Sequence, residues 1–247
     1  MRYLVLSDIH GNSDALEAVL AETSQESIDT VLVLGDLIGY GAGPNEVIER
    51  LRELPQPTVV IRGNHDKVVS AASEDEHFNT VARQAIRWTT DVLTPENLEF
   101  LQDLPRGPLE IRPDVFICHG SPLDEDEYLM SLEGAAEALT YHPGRLVFFG
   151  HTHLPTMFTA QGGRLSSSIL EGDELVFHLE PGFRYLANPG SVGQPRDRDP
   201  RAAYFIYDAE AGELYWRRCE YSIEDAQRRI LAAGLPDVLA HRLGVGI

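Results

Sequence analysis

The chain opens with RYLVLSDIHGN, residues 2–12, in which an apolar run of strand length is followed at once by Asp8 and His10. Further apolar runs alternate with segments of helical spacing, in the order 14–23 (helix), 31–34 (strand), 45–54 (helix) and 58–61 (strand). The second run, 31–34, is apolar throughout, as is typical of a strand buried on both faces, and we expect the third run, 58–61, to be a buried strand too. Strand–helix alternation of this kind predicts parallel strands with helices on the faces of the sheet.

The pattern of predicted helices and strands changes after His153. Before it, the pattern predicts helices at 80–88, 96–101 and 132–139 and strands at 115–118 and 146–149. After it, short strand-like runs separated by turns predict antiparallel pairing at 156–160, 175–179, 184–187, 203–207 and 214–218. Ser222 and Asp225 have the spacing of a capping box, which predicts a terminal helix. We expect one domain, residues 1–247, that contains two sheets.

The charge of the chain excludes several kinds of partner. With 20 Lys+Arg against 39 Asp+Glu, the formal net charge of the 247 residues is −19. Binding to a nucleic-acid duplex requires a basic face, and an anionic membrane surface requires basic clusters, so neither partner is expected. The oligomeric state stays open, a homo-oligomer included.

The two cysteines predict a reducing compartment. Cys118 and Cys219 both lie in apolar runs and are expected to be core thiols rather than a disulfide framework. No apolar stretch is long enough to span a bilayer, and Ser7 and Asp8 interrupt the first apolar run too early for a signal peptide. We therefore expect a cytoplasmic protein.

Polar side chains follow five of the predicted strands. The strand ends carry SDIHGN (7–12), GD (35–36), GNHD (63–66), HG (119–120) and GHTH (150–153). In an open α/β sheet the loops at the carboxyl ends of the strands converge on one crevice. Each motif alone is also explained by a turn or a polar strand end. The ordered set, with every member at a strand end, instead predicts a shared site.

The expected donors are carboxylates, amides and imidazoles. Cys118 directly precedes His119 and should point to the other side of its strand. This donor set suits a borderline divalent ion, with manganese as first choice and iron, zinc, nickel or cobalt as alternatives, and it is too rich in histidine for calcium or magnesium. Seven candidate ligands are too many for one tetrahedral ion but suit two ions that share a bridging carboxylate.

The ordered motifs resemble the signature of the calcineurin-like metallophosphoesterase superfamily, D-x-H, GD, GNH(D/E), H and GHxH. The resemblance covers residues 1–153. GYG (39–41) and NPGSVG (188–193) extend it and resemble a compact bacterial phosphodiesterase-like subgroup. It implies an α/β fold, specifically a four-layer αββα sandwich of two mixed β-sheets flanked by helices.

The resemblance also implies a role for each motif residue. The ligands of the first metal would be Asp8, His10 and His153, those of the second would be Asn64, His119 and His151, and Asp36 would bridge the two ions. His65 would lie over the substrate as a catalytic residue, oriented by Asp66. Many relatives have a second Asp three residues after the bridging one, where this chain has Gly39.

The function implied is that of a metal-dependent phosphoesterase, foremost a phosphodiesterase that hydrolyses a small phosphodiester with a metal-bridging hydroxide. A phosphomonoesterase, a phosphoprotein phosphatase and a diadenosine-polyphosphate hydrolase are alternatives, because the same metal pair serves them all. A non-catalytic scaffold is a further alternative. The retromer scaffold subunit has this fold but lacks a histidine at the GNH position, so His65 disfavours that reading.

Several residues outside the metal set are weaker candidates. Arg62 and Asn12 are candidate substrate contacts, although Arg62 could equally pair with an acid. Arginines 196, 198 and 201 and the acidic run 124–127, which Tyr128 follows, are expected to be mainly solvated loops. The remaining histidines are expected to have surface or packing roles: His77, His142, His178 and His241.

Overall fold

The computed structural model of the chain describes residues 1–71 and 78–247, so His77 lies outside the described residues. Within these ranges the chain forms twelve β-strands and eight α-helices. The strands are β1 (Arg2–Leu6), β2 (Thr30–Val33), β3 (Thr58–Val60), β4 (Leu109–Arg112), β5 (Val115–Ile117), β6 (Leu146–Phe148), β7 (Thr156–Gln161), β8 (Arg164–Ile169), β9 (Glu174–His178), β10 (Arg184–Asn188), β11 (Ala202–Asp208) and β12 (Glu213–Cys219). The helices are α1 (Ser13–Glu22), α2 (Pro44–Arg52), α3 (Asn64–Ala71), α4 (Thr80–Val92), α5 (Pro95–Gln102), α6 (Leu132–Tyr141), α7 (Ile223–Ala232) and α8 (Asp237–Leu243).

The strands form two mixed sheets of six. The first sheet has the order β3-β2-β1-β11-β12-β9, and the second has the order β4-β5-β6-β10-β7-β8. In the first sheet β1, β2 and β3 are parallel, and β11 pairs with β1 antiparallel, which places Val5 opposite Phe205. In the second sheet β5, β6 and β10 are parallel, and β4, β7 and β8 are antiparallel to their neighbours. The parallel strands of both sheets carry the motif loops.

The alternation of side chains along β1 explains how the layers pack. Val5 points between the two sheets, where it shares a core with Phe148 and Trp216. Leu4 and Leu6 point to the opposite face, where helices α1 and α2 cover the first sheet. Helix α6 covers the outer face of the second sheet. The result is helices, sheet, sheet and helix, which confirms the predicted four-layer αββα fold.

Some elements differ from the predictions. We expected the third strand, β3, to be fully buried. It is only half-buried, because it lies at an edge of the first sheet. The antiparallel strands after His153 divide between the two sheets. The sequence missed β4, β8, α3 and α8. At the start of α7 the Ser222 hydroxyl donates to the Asp225 carboxylate (2.5 Å) and accepts no backbone N–H, so the capping box is not formed.

Other local predictions are confirmed. Thr94 caps α5 with Pro95 as its first residue, and Thr94 Oγ1 accepts from the backbone N–H of Asn97 (3.3 Å). Both cysteines are buried and free. Among residues 1–71 and 78–247, no helix has the length and apolar character required to cross a membrane.

Candidate metal centre

The five motif loops meet in one place, and they do so in an unusual backbone conformation. The loops follow β1, β2 and β3 of the first sheet and β5 and β6 of the second, so the crevice lies across two sheets, not along one as expected. Seven non-glycine residues of the described chain have a left-handed φ, and five of them are predicted metal ligands: Asp8, His10, Asp36, His151 and His153. Such strain costs about 1–3 kcal/mol per residue and concentrates at functional sites.

The predicted ligands form two overlapping groups. Asp8, His10, Asp36 and His153 each offer a ligand atom, and these atoms lie within 4.8 Å of one another. Asp36, His119 and His151 form a second group by the same measure. All six residues are buried. Asp36 belongs to both groups. The family resemblance implies a bridging carboxylate at this residue.

Asn64 lies beside the second group. It is the first residue of α3, and its Oδ1 atom is 3.1 Å from His119 Nε2. The seven predicted ligands, which we call the metal cluster, are therefore all brought together: Asp8, His10, Asp36, Asn64, His119, His151 and His153. Cys118 is not part of the cluster. Its thiol lies within hydrogen-bond distance of the Gly120 and Phe148 carbonyls, as expected for a residue on the other side of its strand.

Backbone carbonyls orient three of the four cluster histidines. Nδ1 of His10 is 3.1 Å from the carbonyl of Ile38, and Nδ1 of His119 is 2.8 Å from that of Leu34. Nδ1 of His153 is 2.6 Å from the Gln194 carbonyl. Because a carbonyl can only accept, Nδ1 carries the ring proton in these contacts, and the lone pair of Nε2 faces the cluster.

The cluster fits divalent cations because its acceptors lack donors. His10 Nε2 and His153 Nε2 are 3.0 Å apart, and with both protons on Nδ1 neither nitrogen can donate to the other. His151 Nε2 is buried without a hydrogen-bond partner among the described residues. One cation would satisfy the lone pairs of His10 and His153, and a second would satisfy that of His151. Imidazole nitrogens with carboxylate oxygens form the donor set of a borderline transition metal.

Burial keeps most of these histidines neutral, as metal binding requires. It lowers the pKa of His10 and His153 well below the usual value, and that of His151 to about 3. His119 differs. Burial opposes its protonation, but the Asp36 carboxylate outweighs burial and raises the pKa of His119 to about 10. Their atoms Nε2 and Oδ2 are 3.4 Å apart, so a cation bound there would take over the role of that proton.

The Asp8 carboxylate is held by hydrogen bonds from both sheets. The hydroxyl of Ser7 donates to Oδ2 (2.5 Å), and the backbone N–H of His151 donates to the same atom (3.1 Å). Burial nevertheless raises the pKa of Asp8 to about 7. A cation next to this carboxylate would favour its charged form.

His65 lies beside the cluster and faces the cavity above it. Its ring packs against His10, Tyr40 and Phe78, with centroid distances of 4.8, 4.6 and 4.8 Å. Its Nδ1 is buried without a hydrogen-bond partner and faces Gly39. A Cβ at Gly39, where φ is +134°, would be 2.5 Å from His65 Nδ1. Gly39 stands where many relatives have a second Asp. It is therefore also the residue against which the His65 ring packs.

Asp66 does not orient the His65 ring, and this prediction is wrong. Its carboxylate accepts backbone N–H groups instead, from Leu37 (3.0 Å), Ile38 (3.3 Å) and Gly63 (2.9 Å). These contacts tie the loop after β2 to the loop after β3. Asp66 thus positions the segments that carry Asp36 and His65.

Both predicted substrate contacts are hydrogen-bonded within the chain. Asn12 caps α1 by accepting from the backbone N–H of Ala15 (3.1 Å), and its amide donates to the Gly193 carbonyl (2.9 Å). The Arg62 guanidinium donates to both carboxylate oxygens of Glu125, from Nε (3.1 Å) and Nη2 (3.0 Å). Both side chains therefore have structural partners.

The acidic run 124–127 is anchored, which corrects the expectation of a solvated loop. Besides Arg62, Glu125 pairs with Lys67 (3.0 Å) and Arg106 (3.7 Å). The loop carries Tyr128, whose ring lies 3.9 Å from that of His151 although the residue is 54% exposed.

The arginines that follow Pro195 differ in their partners. Arg201 pairs with Asp199 and Asp173 (both 2.6 Å), whereas Arg196 faces the cluster.

A cavity lies directly over the metal cluster. Besides cluster residues, it is lined by Tyr40, His65, Phe78, Asn79, Tyr128 and Arg196. Phe78 was not predicted, Tyr40 was noted only as part of the GYG motif without a role, and Tyr128 and Arg196 were given little weight. The described histidines outside the motifs have packing or surface roles. His142 packs on Phe116, His178 pairs with Glu213, and His241 is exposed.

The segment 188–194 forms hydrogen bonds to the loops that carry the metal cluster. Ser191 Oγ donates to the Asp8 carbonyl (2.7 Å), and the N–H of Gly193 donates to the same oxygen (3.0 Å). A Cβ at Gly193 would be 1.7 Å from the Ile9 carbonyl oxygen, so only glycine allows this approach. Asn188 donates to the Gly150 carbonyl (2.8 Å) at the start of the GHTH loop. The segment therefore holds loops of both sheets in register.

Comparison with known proteins agrees with this geometry. A solved structure described as a metallophosphoesterase from Sphaerobacter thermophilus is 38% identical, covers 100% of this chain and 99% of its own, and superposes with a TM-score of 0.85. An uncharacterised protein of Methanocaldococcus jannaschii is 38% identical over 98% of this chain and 97% of its own length. The phosphodiesterase YfcE of Escherichia coli is 26% identical over 84% of this chain and 88% of its own.

A family model covers most of the chain. The model of the calcineurin-like phosphoesterase superfamily domain matches residues 1–212, which include every residue of the metal cluster and the segment 188–194. The chain is therefore a member of the calcineurin-like phosphoesterase superfamily.

Proposed function

We propose that this phosphoesterase is a phosphodiesterase that acts on a small phosphodiester at a two-metal centre. The observation that carries the proposal is the shared position of Asp36 in both ligand groups. Asp8, His10 and His153 would complete one site, and Asn64, His119 and His151 the other. Manganese is the first choice of metal for this donor set, and iron, zinc, nickel or cobalt are alternatives.

The charges of such a centre suit an anionic substrate. Two divalent ions with the carboxylates of Asp8 and Asp36 leave about two positive charges when the histidines are neutral. The surface charge of this acidic chain is screened beyond about 8–10 Å, so it does not outweigh the local cations. A phosphodiester anion is therefore attracted into the cavity.

The bound ions would act as Lewis acids on the phosphoryl oxygens and would activate a water molecule as nucleophile. His65 is placed to assist the leaving group. Its Nδ1 is buried against Gly39, so Nε2 is the ring nitrogen available to substrate. Burial lowers the pKa of His65 to about 4, which keeps the ring neutral at pH 7 and leaves it one N–H to donate. We assign that N–H to the leaving oxygen.

Three wider predictions belong to this proposal. Residues 1–247 would work as one metallophosphoesterase domain, since both sheets contribute ligands and the chain crosses between them repeatedly. A cytoplasmic location stays a prediction, supported by two buried, unpaired thiols. A homo-oligomeric state also stays open to measurement.

The test is hydrolysis of bis(p-nitrophenyl) phosphate and of p-nitrophenyl phosphate by Mn²⁺-loaded protein. We expect a higher kcat/KM for the diester, and loss of turnover after dialysis against a chelator that is reversed by Mn²⁺. A preference for the monoester would favour the phosphomonoesterase alternative. Turnover of neither substrate by metal-loaded protein would contradict the proposal and would favour a scaffold.

A further inference from the structure

Arg196 is a cation without an anionic partner at the edge of the cavity. Its one hydrogen bond runs from Nη2 to Gln194 Oε1 (3.3 Å), and its Nε is buried without a partner. Within residues 1–71 and 78–247, no carboxylate lies close enough to Arg196 to form an ion pair. A half-buried guanidinium in this state has unused donors that point toward the cavity it lines.

Several other arginines of the described chain are paired with carboxylates. Arg62 is bound by Glu125, Arg201 by Asp199 and Asp173, and Arg218 by Asp197. In a chain with a net charge of −19, carboxylates are abundant, and these arginines have each acquired one. Arg196 has no carboxylate partner and lies beside the metal cluster. Its guanidinium is therefore suited to bind an anion that enters the cavity, such as a phosphoryl group.

The backbone fixes Arg196 relative to the metal ligands. Arg196 is two residues after Gln194, whose carbonyl accepts from Nδ1 of the ligand His153 (2.6 Å). The N–H of Gln194 in turn donates to Ser191 Oγ (2.7 Å), and that hydroxyl donates to the Asp8 carbonyl (2.7 Å). The segment that orients the ligands therefore also sets the start of the Arg196 side chain.

The Tyr40 ring contacts the Arg196 guanidinium. The Arg196 Cζ atom is 5.9 Å from the centroid of the Tyr40 ring, within the range of a cation–π contact. The same ring packs on His10 and His65, with centroid distances of 4.6 Å to each. Tyr40 thus links the arginine, one metal ligand and the predicted catalytic histidine in one rigid group.

We propose that Arg196 is a substrate-binding residue that donates to a non-bridging phosphoryl oxygen of the phosphoester in this cavity. The inference rests on the proposed function, because it assumes that the phosphoryl group occupies the cavity over the metal cluster. The guanidinium adds a charge-assisted hydrogen bond to the attraction of the metal ions and orients the group relative to His65.

The test measures binding of inorganic phosphate to Mn²⁺-loaded protein by calorimetry, a readout that needs no turnover. Arg196→Gln should weaken phosphate binding by about 10- to 100-fold, as expected for a hydrogen bond to a charged group. Arg196→Lys should recover part of the loss, since it keeps the charge but not the planar fork. Arg198→Gln is the matched control. Arg198 is exposed two residues away, and its loss should change the affinity by less than about twofold.

The outcomes separate this inference from the proposed function. Metal content should be unchanged in Arg196→Gln, and KM for the diester should rise by more than kcat falls. Unchanged phosphate affinity, or loss of metal together with affinity, would overturn the role of Arg196. Phosphate binding that depends on Arg196 in a protein that hydrolyses no phosphoester would leave the inference standing and would contradict the proposed function.

Discussion

The two sides of the cleft differ in whether backbone groups hold their side chains. On the metal side, the Nδ1 atoms of His10, His119 and His153 contact backbone carbonyls at 3.1, 2.8 and 2.6 Å. On the substrate side, Nδ1 of His65 and Nε of Arg196 are buried without partners. Backbone carbonyls therefore fix the ring orientation of three metal ligands, whereas no backbone hydrogen bond of the described chain holds the side chain of His65 or Arg196.

This difference follows from what each side must do. Metal ligands must already be in place, because a misplaced donor weakens coordination, and backbone carbonyls of neighbouring loops supply the supports. Groups that bind a substrate are more useful if the fold does not occupy them. The difference also predicts which variants lose metal and which lose rate alone.

The largest effect is expected from Asp36→Asn. The amide removes the charge that both ligand groups share, so both metals should bind more weakly and kcat/KM should fall by about 10⁴-fold or more. Metal content after dialysis, measured by mass spectrometry, checks the cause. Retention of two ions per chain in this variant would show that Asp36 is not the bridge.

His65→Ala should affect the rate without affecting the metal. His65 is expected to contact the substrate only, so removal of its N–H should lower kcat by about 10²–10³-fold at unchanged metal content. This variant is the counterpart of Asp36→Asn on the other side of the cleft. Equal metal loss in the two variants would mean that His65 is itself a ligand.

Gly39→Ala should disturb the substrate side indirectly. The new Cβ would lie 2.5 Å from His65 Nδ1, so the ring must shift, and we expect kcat to fall by about 10- to 100-fold with metal retained. Gly163→Ala is the matched control, since Gly163 has φ of +79° and nothing within 4 Å of its Cβ position. Both variants should lose about 1–2 kcal/mol of stability to backbone strain. Equal activity in the two would contradict the role of Gly39.

The smallest effect is expected from Glu125→Gln. The change breaks the ion pairs to Arg62 and Lys67 that anchor the loop of Tyr128, and KM should rise by about two- to fivefold. Glu127→Gln, which removes a nearby charge that forms no ion pair in the described residues, should have no effect. Equal KM values for the two variants would show that the anchor is unimportant for substrate.

The same ion pairs give a pH dependence. Burial opposes ionisation of Glu125, but Arg62 and Lys67 outweigh it and hold the pKa of Glu125 below the usual 4.5. A carboxyl group with a lowered pKa stabilises the fold above its unfolded pKa, and the contribution is lost as the pH falls through the folded value. Thermal melts should therefore show the wild-type advantage over Glu125→Gln at pH 7 and its loss in acid.

The metal ligands could be predicted from sequence because their signals are local. Each ligand motif directly follows an apolar run, so Asp8 or His151 is recognisable within a few residues of its own strand. The strands and helices that were missed are those without such a pattern. Strand β8, for example, is mostly exposed at an edge, and its serines give no apolar alternation.

The roles that could not be predicted depend on partners distant in sequence. Asp66 accepts from Leu37, 29 residues away, and Arg62 pairs with Glu125, 63 residues away. Arg196 was undervalued for the converse reason. What sets it apart is an unpaired guanidinium in the lining of the cavity, and only the folded chain shows that position.

Diffraction from crystals grown with Mn²⁺, recorded with anomalous signal, tests the central claim most directly. The account predicts two manganese peaks about 3.5–4 Å apart, with the Asp36 carboxylate between them and one peak on each ligand group. A single peak, or two peaks that do not share Asp36, would contradict the two-metal centre.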